Sequence, residues 1–268
     1  MTDDLPFFIR EGDRYLPTEA TRGYWTPESI NGRVVVGLLG FELERLHGDA
    51  GFQPARLTVD MYRLPDRSPV EVVTRVIRAG GRLKLVEADF VSNGRPMGRA
   101  SCQFLRRTAD PPGRYWRAPG WSAPPPESVP SAPSPNGRHW DVRQVAGEIG
   151  SPGPRQAWIR DTRELVGGFP LTPFTRVAVA ADYASPFANS GSEGVGYINS
   201  DVTAYLHRLP RTEWIGFEVR NHQAADGVAI GECWLYDEDG PIGTATAAAI
   251  AQQRREALPE ANDPPSRT

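Results

Sequence analysis

Two stretches of the chain place apolar residues at helical spacing, and each is followed by a run of alternating segments. In the first, Ile30–Leu46, residues Val34, Val35, Leu38, Leu39, Leu43 and Leu46 form a broad stripe, while Glu42, Glu44 and Arg45 leave an exposed edge. A stripe that wide belongs to a helix wrapped on most sides. Thr26-Pro27-Glu28 ahead of it reads as a helix start, with threonine as N-cap, proline at the first helical position and an acid in the first turn. The pattern therefore predicts a helix near residues 27–47. Arg56–Arg63 then alternates Leu57, Val59 and Met61 with Thr58, Asp60 and Tyr62, the period of a strand with one buried face. Val70–Arg78 and Arg82–Phe90 flank Ala79-Gly80-Gly81, a hairpin signal, and Gly98–Leu105 follows Asn93-Gly94.

The second half repeats this order. Thr172-Pro173 opens a helix predicted over 172–188, and strands are predicted at Tyr197–Arg208, Glu213–Asn221, Val228–Tyr236 and Ile242–Ala251, with turns at Asp226-Gly227 and Asp239-Gly240. Short motifs recur as well. Arg63-Leu64-Pro65 returns as Arg208-Leu209-Pro210 at an offset of 145, and the glycines of Gly94–Gly98 return in Gly240–Gly243 at nearly the same offset. Matching element order at a constant offset marks an internal duplication. Strands that are consecutive and hairpin-joined indicate α+β architecture, with an antiparallel sheet around a helix, made twice.

Between the halves, Pro111–Pro135 holds nine prolines in 25 residues. Proline removes backbone donors and disfavours helix before it, so this stretch reads as an extended linker. It carries Trp116 and Trp121, so part of it is expected to pack against a domain. The expected division is an N-terminal domain over 15–108, a linker over 109–137, a C-terminal domain over 138–252 and a flexible tail over 253–268. The formal net charge of −3 argues against a nucleic-acid partner, which needs a basic patch to neutralise phosphates. Cys102 and Cys233 sit in apolar runs without ligand spacing around them, as buried thiols of a reducing compartment do. Met1–Arg14 has no basic start followed by an apolar run, and no stretch is long and apolar enough to span a membrane. These features fit a cytoplasmic protein.

Several segments resemble the acyl-CoA thioesterase II family. Asn31-Gly32-Arg33-Val34-Val35 is similar to the Gly-Gly-Gln-Val-Val segment that opens that family's first helix, and Asn93-Gly94-Arg95-Pro96 to its Asn-Gly-Lys-Pro turn. Tyr183-Ala184-Ser185, Leu206-His207-Arg208 and Tyr236–Gly240 resemble its Tyr-Ala-Ser, Phe-His-Arg and Tyr-Thr-Gln-Asp-Gly segments. The resemblance covers about residues 15–252 and implies a double hotdog: two antiparallel sheets, each wrapped around a long central helix, paired edge to edge. It also implies acyl-CoA or an acyl-carrier-bound thioester as the partner, no cofactor, and oligomers formed through the hotdog sheets.

The family activates water with an Asp on the second helix, a Thr at the next strand and a Gln on the last strand. Here those positions carry Pro186, Asn199 and Ala248, none of which repeats the family's residue. The catalytic candidates are therefore Asp182, about one helical turn before Pro186, with Asn199 and Asp201. Asp182 fits either a displaced base or a helix-end residue at a solvent edge. Asn199, Asp201, Thr203, Tyr205 and His207 share one strand face, which suits either a solvated surface or the lining of a groove. The substrate-binding candidates are Asn31, Gly32, Arg33 and Thr203; Asn31-Gly32 could offer helix N-terminal amides to a carbonyl, or mark close packing. An acyl groove is expected between the domains beside the first helix. Ser185 lacks the Gly-x-Ser-x-Gly context of a serine hydrolase, and no phosphate loop or zinc signature is present. Three readings remain: a hydrolase of acyl thioesters with a rearranged or weakened site, a lyase, isomerase or cyclase built on the same scaffold, and a non-catalytic acyl-thioester binding protein.

Overall fold

A computed structural model describes residues 5–131 and 140–252. The chain begins with β1 (Phe8–Glu11) and β2 (Arg14–Pro17), then α1 (Gly32–His47), β3 (Phe52–Met61), β4 (Val70–Ala79), β5 (Leu83–Ser92) and β6 (Arg95–Arg106). Its second part contains β7 (Trp140–Ala146), β8 (Gln156–Asp161), α2 (Pro173–Ala181), α3 (Ala184–Ala188), β9 (Ser190–Gly191) and β10 (Gly194–Val195). It closes with β11 (Tyr197–Asn199), β12 (Asp201–Leu206), β13 (Ile215–Ala225), β14 (Val228–Asp237) and β15 (Gly240–Ala251). The expected tail at 253–268 and the end of the Pro-rich stretch lie outside the described residues.

The expected pair of sheets is one continuous 13-stranded antiparallel sheet, in the order β1-β2-β4-β5-β6-β3-β12-β15-β14-β13-β8-β7, with β11 also on β15. The halves meet where β3 pairs with β12, Asp60 opposite Asp201 and Thr58 opposite Thr203. Two of the hairpin turns have a pair of residues in left-handed backbone, Asn93 and Gly94 in one half and Asp226 and Gly227 in the other. Asparagine, aspartate and glycine tolerate that conformation best. The repeated motifs also do the same job twice. Arg63 Nη1 donates to Pro96 O at 3.2 Å, and Arg208 Nη2 donates to Gly240 O at 2.9 Å. Gly98 and Gly243 each press against a carbonyl of the neighbouring strand, Asp60 O and Tyr205 O, where a β-carbon has no room.

Both helices depart from expectation at one end. α1 begins at Gly32, not at Thr26-Pro27: Asn31 is the N-cap, its side chain accepting Arg33 N–H at 3.1 Å. The earlier residues are held in bridges and a turn, with Ile30 N–H on Pro65 O at 2.9 Å and Asn31 N–H on Thr21 O at 2.8 Å. The second helix is not continuous over 172–188. It divides into α2 and α3 around Asp182 and Tyr183. Pro186 has no N–H to give the carbonyl four residues back, so the Asp182 carbonyl leaves the helical ladder and accepts Ser185 N–H at 3.2 Å. The strand expected over Tyr197–Arg208 is likewise broken at Ser200, whose N–H bonds Ala248 O while its carbonyl accepts Met61 N–H. Strands β1, β2, β7 and β8 form the two ends of the sheet and were not anticipated.

α1 and α2 run antiparallel, Gly32 at the start of α1 meeting Asp182 at the end of α2 and Glu44 meeting Thr172. At Gly37 a β-carbon would lie 2.5 Å from Val179, and at Gly40 2.6 Å from Ala178. Small residues let the helices touch, and Val34–Leu43 are all buried. This stretch of the helix pair is closed, so the expected groove does not run along it.

Within the Pro-rich stretch, the described residues form one short helical turn, Pro126–Ser128. Trp116 is 85% exposed. Trp121 is packed on the sheet's outer face, stacked on Tyr236 at 4.5 Å and edge-on to Trp158 at 4.8 Å. Gly216 lies directly beneath it and leaves space for its ring. Trp158 Nε1 donates to Pro124 O at 2.9 Å. Trp121→Ala is expected to cost roughly half of the ~3–5 kcal/mol lost when a fully buried tryptophan is truncated, because its ring is only half-buried. A urea-unfolding midpoint measures it, and an unchanged midpoint would show that the strap adds no stability.

Candidate active site

Asp182 closes α2, and the helix break leaves its side chain facing the start of α1 and the end of β11. Asn199 Nδ2 donates to Asp182 Oδ1 at 2.8 Å and to Asp201 O at 3.2 Å. Asp182 Oδ2 lies against Gly32, where a β-carbon would fall 2.8 Å from it. Only glycine fits there with the carboxylate in place. The Gly32 N–H belongs to the first turn of α1, where amides have no intrahelical acceptor. A carboxylate, a carboxamide and a helix N-terminus are thus gathered at one point, two of them from the second half of the chain and one from the first.

Burial pushes the Asp182 carboxyl above the ordinary carboxylate range, opposed by the Asn199 hydrogen bond and the Arg33 charge. Burial also raises Asp201, against the Ala248 N–H, with Asp60 adding to the rise. Asp201 has another task, however: its Oδ1 accepts Ala248 N–H at 2.8 Å, which pins β15 where β11 gives way to β12. Of the two carboxylates, Asp182 is the one that lies against Gly32 and Asn199. Ala248 therefore meets Asp201 through its main chain, and Asn199 reaches Asp182 through its side chain.

The other anticipated residues are more scattered. Asn31 caps α1. Thr203 bonds Thr58 Oγ1 at 3.1 Å across the seam between the halves. Arg33 points inward: it is 4% exposed and donates through Nη2 to Asp161 Oδ1 at 2.7 Å. Its guanidinium lies 4.1 Å from the Trp140 ring and 5.1 Å from that of Phe7. Asp161 and Trp140 were not anticipated, because nothing local marks a partner 128 residues away. His47 bonds Thr74 Oγ1 at 2.9 Å, and His222 bonds Asn189 Oδ1 at 2.9 Å. At the opposite end of the helix pair, Glu44 accepts hydrogen bonds from Thr172 and Thr175, which ties the end of α1 to the start of α2.

Among the described residues, no cluster of three or more His, Cys, Asp or Glu is gathered to hold a metal, and no helix is long and apolar enough to cross a membrane. A half-open cleft of about 350 Å³, lined by Trp121, Trp158, Tyr236 and Pro241, lies beside the Pro-rich strap. Asp182 does not line it, and its Asp237 is engaged by Arg208.

The sequence model for the acyl-CoA thioesterase C-terminal domain matches residues 109–250, more than half of the chain. No functionally curated protein matches the sequence. Among solved structures, a hotdog-fold protein of unknown function from Alicyclobacillus acidocaldarius superposes with a TM-score of 0.73 at 17% identity, covering 95% of this chain and 98% of its own. The acyl-CoA thioesterase II TesB2 from Mycobacterium marinum superposes at 0.66 and 18% identity, covering 91% and 94%. The tesB protein of Mycobacterium avium subspecies paratuberculosis gives 0.65 at 18% identity, covering 92% and 96%. At these identities the structures establish the fold, and the sequence match establishes the kinship. The chain is a hotdog-fold α+β protein and belongs to the acyl-CoA thioesterase family.

Proposed function

We propose that this chain hydrolyses acyl thioesters at the junction of Asp182, Asn199 and the first turn of α1. One observation carries this: a half-buried carboxylate held by a carboxamide against a glycine at a helix N-terminus. Asp182 takes a proton from water as the water oxygen bonds to the thioester carbonyl carbon. The carbonyl electron pair moves onto its oxygen, which the Gly32 N–H and the helix dipole stabilise. Collapse of that intermediate breaks the carbon–sulfur bond. The proton then passes from Asp182 to the departing sulfur, leaving a carboxylic acid and a free thiol. Asn199 orients the carboxylate, and Asp201 fixes the strand that carries Asn199.

With proline and alanine at two of the family's three water-handling positions, the rate is expected to be low. A single missing donor typically costs about 10²–10³ in rate. The same loss favours, as a second reading, a lyase, isomerase or cyclase that moves a proton with Asp182 and keeps the acyl group unhydrolysed. The proposed domain division is the one expected from the sequence, with the site shared by both domains. A series of acyl-CoA substrates assayed for free thiol, with mass spectrometry of the acyl product, separates the two readings. Thiol release with a free acid supports hydrolysis; an altered acyl thioester without thiol release supports the second.

The pH profile adds a check. Asp182 must be ionised to act as base, so kcat/KM should rise with pH through a midpoint above the usual carboxylate range. Asn199→Ala removes a hydrogen bond that favours the ionised form, and should move that limb to still higher pH. A limb that stays in place would remove Asn199 from the site.

A further inference from the structure

We propose that the first part of the Pro-rich strap, with the end of the sheet it leaves from, docks on an anionic lipid surface: Tyr115 and Trp116 enter the headgroup layer and six arginines face its phosphates. This surface is separate from the site of the proposed hydrolysis. Trp116 is 85% and Tyr115 65% exposed, although both carry large apolar rings. They lie between Arg114 and Arg117, which are exposed as well. A ring pair bracketed by cations has the composition of a membrane-interface anchor. Tryptophan and tyrosine settle at headgroup level, while arginine stems lie along apolar surface and their heads reach phosphate.

The fold holds these rings clear of the body. The strap leaves β6 at Arg107, whose N–H bonds Gly51 O at 2.9 Å, and is pinned again where Trp121 stacks on Tyr236 of β14. β6 and β14 are separated by β3, β12 and β15, a span of about 19 Å at the usual strand spacing. The chain from Arg107 to Trp121 reaches about 46 Å when extended, so its middle stands away from the sheet. Gly113, at φ +133°, turns it just ahead of Arg114, in a conformation that other residues disfavour.

The base of this projection is basic too. β6 ends beside the start of β3 and the β4–β5 hairpin, Arg106 opposite Phe52 and Ala79 opposite Lys84. Exposed Arg78, Arg82, Arg106 and Arg107 are gathered there. Arg106 donates to the neutral Gly81 O and lies over the Phe52 ring at 4.8 Å, and none of the four is in an ion pair among the described residues. On these segments the carboxylates are Asp49, which Lys84 engages at 3.1 Å, and Asp110. A chain with a formal net charge of −3 thus gathers positive charge at one end. That end is remote from the candidate site. α1 starts at Gly32, against Asp182, and finishes at His47, close to Asp49, about 24 Å away. The surface therefore attaches the molecule and does not touch the reacting thioester. An acidic protein is the poorer fit, because a narrow projecting loop lacks the broad face of ~800 Å² that each partner of a stable pair buries.

The test sediments the full chain with vesicles of phosphatidylserine and phosphatidylcholine in equal parts, and with vesicles of phosphatidylcholine alone. Binding is expected to the mixed vesicles, to weaken as salt is added, and to be lost on phosphatidylcholine alone. Each arginine near an anionic surface is worth about five-fold in binding, so the double variant Arg114→Gln, Arg117→Gln should bind about 25-fold more weakly. Trp116→Ala should bind about ten-fold more weakly, from the ring area it no longer inserts. All three side chains are exposed, so both variants should melt at the temperature of the parent, which separates lost docking from lost folding. Equal sedimentation with the two vesicle types, sedimentation with neither, or undiminished binding by either variant overturns the proposal. So does retention of the parent, and not of the variants, on immobilised polyglutamate without vesicle binding, which would assign the surface to an acidic protein.

Discussion

Asp182→Asn is expected to lower thioester hydrolysis by about 10²–10⁴-fold, the usual effect of removing a general base, while the protein stays folded. Asparagine matches aspartate in shape, so the close approach to Gly32 is kept and an oxygen remains for the Asn199 amide. Stability should move the other way from activity. Burial raises the Asp182 pKa in the folded state above its unfolded value. A raised carboxyl contributes fully below the unfolded pKa, and that contribution is lost as pH rises through the folded value. At neutral pH the parent protein therefore holds a carboxylate that the fold disfavours, and the amide removes that penalty. Thermal melts should find Asp182→Asn as stable as the parent or more stable near neutrality, with the advantage gone in acid. Undiminished thiol release from the variant would place the chemistry elsewhere. Reduced activity with a collapsed melting temperature would make Asp182 a structural residue.

Asp237→Ala should be the most damaging change remote from the site, at about 3–5 kcal/mol, the typical result of breaking a buried ion pair by removing one partner. The Asp237 side chain is fully enclosed and fully used. Arg208 donates to both of its oxygens at 2.6 Å, and the Arg211 and Asp239 amides donate at 2.8 and 2.9 Å. Alanine would strand a guanidinium and two amides where β14 turns into β15. Burial would raise this carboxyl, but Arg208 and the two amides outweigh burial and hold it below its ordinary value. Its contribution is thus present above the unfolded pKa and is lost as pH falls through the lower folded one. Unfolding free energies of parent and variant should differ most near neutrality and converge in strong acid. A constant gap across pH would mean that the ion pair is not the source.

What the sequence disclosed is what is local. The stripe from Val34 to Leu43, the Asn93-Gly94 and Asp226-Gly227 turns and the recurring Arg-Leu-Pro are each set by residues a few positions apart, and they led to the right elements. Leu206-His207-Arg208 and Tyr236–Gly240 were visible as separate motifs, but their meeting as the Arg208–Asp237 pair was not. The break at Asp182 had a signal in Pro186, but the alanine-rich run around it masks the interruption. The end strands β7 and β8 are short and lack a sustained alternation, so pairing within the sheet rather than pattern decides them. For the candidate site, Asp182 and Asn199 could be named because a family pattern pointed to their neighbourhood. Asp161 and Trp140 could not, since an inward-facing arginine looks the same in sequence as one in solvent.

The seam between β3 and β12 also has a meaning in time. Thr58 and Thr203 bond across it from positions 145 residues apart, whereas each helix and its hairpins close from nearby segments. Contacts so distant along the chain carry a larger loop-closure penalty and tend to form late. Gly32 reaches the candidate site from one side of that seam and Asp182 from the other. A half-folded chain can therefore hold most of its secondary structure and still lack the assembled candidate site. Regained activity would mark the end of folding, not its progress.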